Sequence, residues 1–273
     1  MRIRHDVLII GCGPTGAVLA NLLGHLGLAV VVLERQAAPF TITSTAHLDE
    51  ETLRNLRTTG LFDELLPHLA PLDSVDVVDA DGVLLYQDEV ARDAPSNSPS
   101  GAWLCDRVAC LDVLREGLRR FPSVKVIAGA ELQRLVDHGD HVEAVATAAG
   151  EPLHVQARWV VGCDGAHGVT RSWTRIALET LAPPHRRLVV NAVVDEPERG
   201  AACHYRVTLG HDRVALGVHG PKAHRRWEFQ LASHEAPDDD QVRAWLAPHT
   251  DLTRTRVETT RIHDLPALLA TSL

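Results

Sequence analysis

Basic side chains are scarce in this 273-residue chain. It has 27 Lys and Arg residues against 36 Asp and Glu, which gives a formal net charge of −9. A nucleic-acid-binding protein needs clustered Lys and Arg to neutralise phosphates, so this balance excludes that class of partner. The hydrophobic share of 45% and the charged share of 23% are ordinary for a globular protein and exclude collagen-like and disordered chains.

Cysteine is also scarce. Five cysteines, an odd number without a Cys-x-x-Cys pair, argue against both a disulfide framework and a structural zinc site. We therefore expect a reducing, cytoplasmic location. Histidine is frequent, but the closest pair, His138 and His141, flanks a predicted Gly-Asp turn. We predict no metal site, because spacing alone does not bring ligands together.

A long charge-free run lies near the N-terminus. Residues 7–33 contain no Asp, Glu, Lys or Arg and follow Arg2 and Arg4, a pattern that also fits a membrane anchor. The glycines argue against that interpretation. The run divides into a β-branched strand (VLII), a glycine turn (GCGPTG), a helical period (AVLANLLGHLG) and a second strand (AVVVLE). The sequence therefore predicts a β-α-β unit and no membrane span.

The turn of this unit has the pattern Gly-x-Gly-x-x-Gly. Gly11 allows a tight turn, Gly13 lets a pyrophosphate approach the backbone, and Gly16 permits close packing of helix on strand. The free N–H groups at the helix start bind phosphate oxygens. Glu34 ends the second strand, where a carboxylate accepts hydrogen bonds from both ribose hydroxyls of an adenosine and disfavours a 2′-phosphate. The pattern indicates FAD or NAD rather than NADP; the alternative is a glycine turn that serves packing alone.

The rest of the chain divides into two regions. Up to about residue 180 we predict an α/β, Rossmann-like region. From about Pro183 the strands alternate with a period of two, which predicts an antiparallel sheet with one apolar and one wet face. We therefore predict a dinucleotide-binding domain over 1–180 and a smaller α+β domain over 181–273, with the 74–100 hairpin as a candidate addition to the second. The predicted elements are helices at 47–59, 107–120 and 238–246, hairpins around Asp81-Gly82 and Gly139-Asp140, a strand at VKVIAG, and a buried strand at ARWVVGCDG.

Several segments together resemble one family. They are Glu34-Arg35 at the end of the second strand, the 107–120 helix and above all GCDGAHGVTR at 162–171. With HLDEE at 47–51 and RWEF at 226–229, they resemble the FAD-dependent aromatic hydroxylases of the para-hydroxybenzoate hydroxylase type. The similarity is closest to the hydroxyphenylpropionate hydroxylase branch and covers nearly the whole chain in order.

The resemblance implies FAD as cofactor, NAD(P)H as reductant, O2 as co-substrate and a phenolic or polyketide-like aromatic as substrate. It implies that Asp164 and Gly165 contact the riboflavin side of FAD and the NAD(P)H route, and that Arg107 contacts the flavin. Alternatives are a turn or helix cap for Asp164 and a surface role for Arg107. His47 is a candidate phenol partner, with a packing or surface role as the alternative. The predicted cofactor-binding residues are Gly11, Gly13, Gly16, Glu34, Arg35, Arg107, Asp164 and Gly165.

The sequence departs from the family at two places. Family members continue into a Gly-Asp segment and a long helix that close the FAD site, whereas Gly139-Asp140 is the single Gly-Asp pair here. Ser44-Thr45 stands where many relatives carry an arginine near the flavin. On this view the C-terminal part of the FAD domain is missing. The alternative function is then a non-hydroxylating relative that acts as a binding module, a split-enzyme half or a non-redox enzyme. We also expect exposed apolar surface, covered in a homodimer or by a partner chain.

Overall fold

The structure is a computed structural model that describes residues 4–38, 44–89, 101–195 and 203–272. The elements are, in chain order, β1 (Arg4–Ile10), α1 (Pro14–His25), β2 (Val30–Glu34), β3 (Thr45–Leu48), α2 (Glu50–Thr58), α3 (Phe62–Leu65), β4 (Leu69–Pro71), β5 (Ser74–Asp79), β6 (Leu84–Glu89), β7 (Trp103–Asp106), α4 (Arg107–Gly117), β8 (Val124–Ala128), β9 (Ala130–Asp137), β10 (Val142–Ala148), β11 (Glu151–Gly162), α5 (Thr170–Thr174), β12 (Leu178–Val194), β13 (His204–Leu209), β14 (Val214–His219), β15 (His224–Leu231), α6 (Asp239–Leu246) and β16 (Thr255–Ala270).

The first sheet has the strand order β8-β2-β1-β11-β10-β9. Its first four strands are parallel, and β10 and β9 continue it as an antiparallel meander. Val7 and Ile9 of β1 pack against α1 and α4, whereas Leu8 and Ile10 pack against the meander. Burial on both faces explains why β1 and β2 read as continuous apolar runs. The predicted β-α-β unit and Rossmann-like architecture are confirmed.

The second sheet has the order β16-β12-β15-β14-β13-β5-β6 and is antiparallel except where β5 meets β13. The β5–β6 hairpin turns at Gly82, whose φ of 83° is the left-handed geometry that glycine adopts most easily. The hairpin thus joins a sheet whose other strands all follow residue 177. This pairing supports its assignment to the second domain, although the boundary at residue 180 stays a prediction.

The expectation that this sheet has one wet face is wrong. Trp227 and Phe229 of β15 are buried under α6 on one face. Leu216 of β14 lies opposite Glu228, so its side chain points to the other face, where it packs near Leu104 of β7. The apolar side chains of β15 and the apolar side chains of its neighbour β14 therefore point to opposite faces of the sheet. Both faces carry an apolar cluster because β7, in a small sheet ordered β3-β7-β4, covers the second face.

Two further expectations need correction. The helix predicted over 47–59 begins at Glu50, because Asp49 caps it by accepting from the Thr52 N–H at 2.8 Å, and His47 lies on β3. The ARWVVGCDG strand is the end of β11 and is not fully buried, since Trp159 is 63% exposed. In the described part of the chain no helix is long and apolar enough to cross a membrane.

Candidate functional site

A cleft of about 400 Å³ opens where β1, β2 and β11 end and α1 and α4 begin. Ligands of open α/β sheets bind at this carboxyl edge. Seven of the eight predicted cofactor residues line the cleft: Gly11, Gly13, Glu34, Arg35, Arg107, Asp164 and Gly165. The structure thus brings together residues that are up to 154 positions apart in the sequence. Their binding role stays a prediction.

Each of the three motif glycines has a different geometric role. A Cβ on Gly11, whose φ is 97°, would lie 2.5 Å from the backbone oxygen of Cys163. A Cβ on Gly16 would collide with the backbone oxygen of Gly11, so this glycine holds α1 against the turn and does not line the cleft. A Cβ on Gly13 would meet no protein atom within 4 Å. Gly13 therefore leaves space in the cleft, which suits a phosphate close to the backbone.

The N-terminus of α1 faces this space. Pro14 occupies the first turn, no side chain caps the helix, and the first turn holds no acidic residue. The free N–H groups and the helix dipole both favour an anion at such an end. The turn thus fits the pyrophosphate of a dinucleotide.

Glu34 connects the end of β2 to the glycine turn. Its Oε2 accepts from the Cys12 N–H at 2.7 Å and its Oε1 accepts from the Gln36 N–H at 2.8 Å. A carboxylate has about four lone-pair positions, so capacity remains for ribose hydroxyls. Glu34 fits the adenosine end of FAD and also holds the protein backbone.

Asp164 lies in the turn after β11. Its Oδ2 accepts from both the N–H and the hydroxyl of Thr170, the first residue of α5, at 2.9 Å. No helix begins at Ala166, and Val169 precedes α5 as its N-cap. The neighbouring Gly165 has a φ of 81°, and both residues line the cleft. Arg107 begins α4 at the opposite wall, where its N–H donates to the backbone oxygen of Ser44.

His47 lies outside the cleft lining. It is exposed on β3 and makes an edge contact with Tyr205 of β13, with ring centroids 5.9 Å apart. Burial raises the pKa of the Tyr205 phenol above its ordinary value. A catalytic role for His47 stays a prediction.

Sequence reasoning missed Arg115. This residue follows Arg107 by about two turns of α4 and lines the same cleft. The helical spacing from Arg107 was the available signal. Gln36, Glu131 and Leu132 also line the cleft, but they belong to no recognised motif.

All five cysteines are free, and Cys12 and Cys163 lie beside the cleft. Burial raises the pKa of both thiols, so they stay protonated and apolar in character at neutral pH. Over the described ranges, no group of three or more His, Cys, Asp or Glu side chains is arranged to hold a metal ion.

Comparison with known proteins agrees with this geometry. The 3-(3-hydroxyphenyl)propionate/3-hydroxycinnamic acid hydroxylase of Mycobacterium sp. (strain JLS) is 30% identical over 272 residues, which cover 94% of this chain and 44% of the relative. The chain spans about half the length of the curated relatives it matches. The solved p-nitrophenol 4-monooxygenase of Pseudomonas putida DLL-E4 has a TM-score of 0.84 at 19% identity, over 99% of this chain and 70% of that one. Aklavinone-11 hydroxylase in a ternary complex with FAD and aklavinone has a TM-score of 0.82 at 17% identity, over 100% of this chain and 56% of that one.

The glycine turn, the acidic strand end and the parallel sheet define a dinucleotide-binding α/β fold. Residues 4–266 match the sequence model described as FAD binding domain, and the chain belongs to that family. The resemblance to FAD-dependent aromatic hydroxylases and the expectation of FAD as the family's cofactor are confirmed.

Proposed function

We propose that this chain binds FAD in the cleft at the end of β1, β2 and β11. We further propose that it forms the cofactor-binding and substrate-facing part of an NAD(P)H- and O2-dependent hydroxylase of phenolic or polyketide-like aromatics. The observation that carries the proposal is the convergence of Gly11, Gly13, Glu34 and Asp164 on one cleft beneath the start of α1. The family's relatives named as hydroxylases support the reaction class.

The chain's own residues then have defined tasks. The Gly13 turn and the α1 N-terminus hold the pyrophosphate, and Glu34 accepts from the ribose hydroxyls. Asp164 keeps Oδ1 free for the flavin side, because its Oδ2 is used by Thr170. When bound, FAD would supply the redox chemistry, taking a hydride from NAD(P)H and activating O2. No side-chain nucleophile is needed for that chemistry.

We propose that the substrate-facing wall lies on the face of the second sheet that carries Leu216, opposite the face covered by α6. Glu228 of β15 lies there between two guanidinium groups, 2.8 Å from Arg187 and 2.7 Å from Arg226. These contacts lower the pKa of the Glu228 carboxyl, although its burial acts in the opposite direction. The cluster has a net charge of +1, and Tyr205 lies on the same face of the sheet near Arg226. An acidic or phenolic aromatic fits this combination of charge and ring contact.

The first test is the colour of the purified protein. We expect oxidised-flavin absorbance or, for apoprotein, calorimetric binding of added FAD with one site per chain. NAD(P)H oxidation with 3-(3-hydroxyphenyl)propionate, followed by product analysis, tests hydroxylation. A colourless protein that does not respond to added FAD would contradict FAD binding. A protein that binds FAD but leaves a panel of phenols unchanged would instead support the non-hydroxylating alternative.

A second proposal concerns what covers β11. Strand β10 pairs with β11 only up to Ala157, and in the described ranges no strand lies beside residues 158–162 on that side. Trp159 and Val161 continue the face on which Val7 and Ile9 are buried, yet both are exposed. Parallel sheets are ordinarily covered on both faces. This exposure supports a functional assembly in which another polypeptide, most simply a second copy, covers this face.

Light scattering at micromolar concentration tests the assembly. We expect a dimer that Trp159→Arg converts to monomer, because an arginine cannot be buried there without a partner charge. A wild-type chain that stays a stable, non-aggregating monomer would contradict the proposal.

We also propose a cytoplasmic location, because all five cysteines are free. Localisation of a tagged chain would test this proposal.

A further inference from the structure

Arg115 closes a ring of interactions behind the glycine turn. Its Nε donates to the backbone oxygen of Cys12 at 2.9 Å, and its Nη2 lies 3.7 Å from Oε2 of Glu34. The same Glu34 oxygen accepts from the Cys12 N–H at 2.7 Å. Both polar backbone groups of Cys12 are therefore held, one by a cation and one by an anion.

This ring fixes the part of the turn that faces the ligand. Cys12 lies between Gly11 and Gly13, so the orientation of its two peptide groups sets where the turn's backbone lies against the cleft. Neither neighbouring glycine restricts the backbone as another residue would. The restraint that glycine does not provide comes instead from Arg115 on α4 and Glu34 on β2.

The ring also changes the charge that a ligand meets. A dinucleotide brings two negative phosphates to a cleft that already contains the Glu34 carboxylate, and like charges at short range repel. The Arg115 guanidinium lies beside that carboxylate with 22% of its side chain exposed, and it lines both the FAD cleft and an adjoining cavity of about 670 Å³. Its five N–H donors exceed the contacts to Cys12 and Glu34, so donors remain for a ligand.

We propose that Arg115 is a positioning residue for the ADP half of FAD. It holds the glycine turn through Cys12, orients Glu34 toward the ribose, and offsets the negative charge of Glu34 when the pyrophosphate enters. The proposal rests on FAD binding in this cleft. A guanidinium is required rather than a point charge, since one planar group must reach a carbonyl and a carboxylate together.

The 3-10 turn that follows α4 offers a matched control. Arg119 lies one turn after Arg115, in the 3-10 turn at residues 118–120, and it also lines the adjoining cavity. Its side chain is 80% exposed, and within the described residues its hydrogen bond and ion pair go to Glu116 at 2.8 Å and not to the glycine turn. Arg119→Gln removes the same charge about one turn further along the chain. A general effect of net charge would act on both variants equally.

The experiment is calorimetric titration of the full chain with FAD and, separately, with ADP, which lacks the flavin. We expect Arg115→Gln to weaken both ligands about ten- to hundredfold, the range for losing hydrogen bonds to a charged group. Arg115→Lys should recover only part of that loss, and Arg119→Gln should stay within about twofold of wild type. Binding stoichiometry and circular dichroism should be unchanged, which separates positioning from loss of fold.

Each outcome has a distinct meaning. A wild-type chain that binds neither ligand contradicts FAD binding itself. A wild-type chain that binds FAD, with Arg115→Gln within about twofold of it, overturns the role of Arg115. If Arg115→Gln does not fold, Arg115→Lys decides, because wild-type affinity in that variant would overturn the need for a bridging guanidinium.

Discussion

Removal of the Glu34 carboxylate is the sharpest test of the cleft. In Glu34→Ala the ribose hydroxyls lose a charged acceptor, and hydrogen bonds to charged groups contribute about 1.5–3 kcal/mol. That loss corresponds to roughly one to two decades in the FAD dissociation constant. The side chain is 14% exposed, so water replaces the carboxylate only in part.

The structure adds a second expected effect. The Cys12 and Gln36 N–H groups both donate to Glu34, so the same substitution leaves two backbone donors without their acceptor. We expect Glu34→Ala to lower the free energy of unfolding by about 1–3 kcal/mol. Glu34→Gln keeps the side-chain shape but replaces one acceptor oxygen with an NH2 donor, so it should destabilise as well, and less.

Calorimetry with FAD and urea unfolding of the ligand-free chain measure the two effects separately. If FAD were present during urea unfolding, the measured stability would include its binding energy, because a bound ligand stabilises the folded chain. An unchanged FAD dissociation constant in Glu34→Ala, with only the stability reduced, would refute the ribose assignment. Glu34 would then be a structural residue of the turn.

Three further outcomes are expected. Gly16→Ala should reduce folded yield, because its Cβ would collide with the Gly11 oxygen, whereas Gly13→Ala should keep the melting temperature and weaken FAD binding in calorimetry. Burial lowers the pKa of His219 from 6.5 to about 3, so the folded chain keeps this group neutral while the unfolded chain protonates it. The contribution of His219 to the free energy of unfolding should be constant above pH 6.5 and fall below it by up to about 1.4 kcal/mol per pH unit. Urea unfolding at pH 7.5 and 5.5 should show a smaller fall for His219→Asn; an equal fall would contradict this assignment.

Local signals predicted much of the first sheet. The glycine pattern between two β-branched runs gave β1, α1 and β2 in order, and the 107–120 helix appears as α4 with a short 3-10 turn at residues 118–120. The hairpin at Gly139-Asp140 also formed, since Gly139 has a φ of 86° there. In these segments each local preference agrees with the tertiary packing, so sequence reasoning succeeds.

The sequence-based predictions fail where tertiary contacts, rather than local preferences, determine the secondary structure. His47 and Leu48 fit a helical period, but β7 pairs with β3 in register from Thr45 to Leu48 and extends them. A capping aspartate at position 49 then starts the helix. Pro183 lies inside β12, where the pairing with β16 is irregular and tolerates a missing N–H. The domain boundary at about residue 180 stays a prediction.

The sequence predicts residue types for the candidate site but not the hydrogen bonds that connect them. Glu34 and Asp164 are predicted ligand acceptors, and the structure shows that each accepts from the protein's own backbone. The bond between Glu34 and Cys12 depends on where β1 and β2 end relative to one another, which their separation of 22 positions does not specify. The helical spacing from Arg107 places Arg115 on the same side of α4, but its contact with Cys12, 103 positions away, depends on the tertiary structure.

These internal bonds bear on the proposed binding of a dinucleotide in the cleft. A carboxylate that is free to rotate must lose side-chain entropy when it captures a hydroxyl, at a cost of about 0.5–1.5 kcal/mol for each ordered side chain. Glu34 is already held by two backbone donors, and Asp164 is held by Thr170. Each lone pair left over therefore projects from a fixed group. The protein meets the ordering cost when it folds, so both proposed acceptors would be in place before a dinucleotide binds.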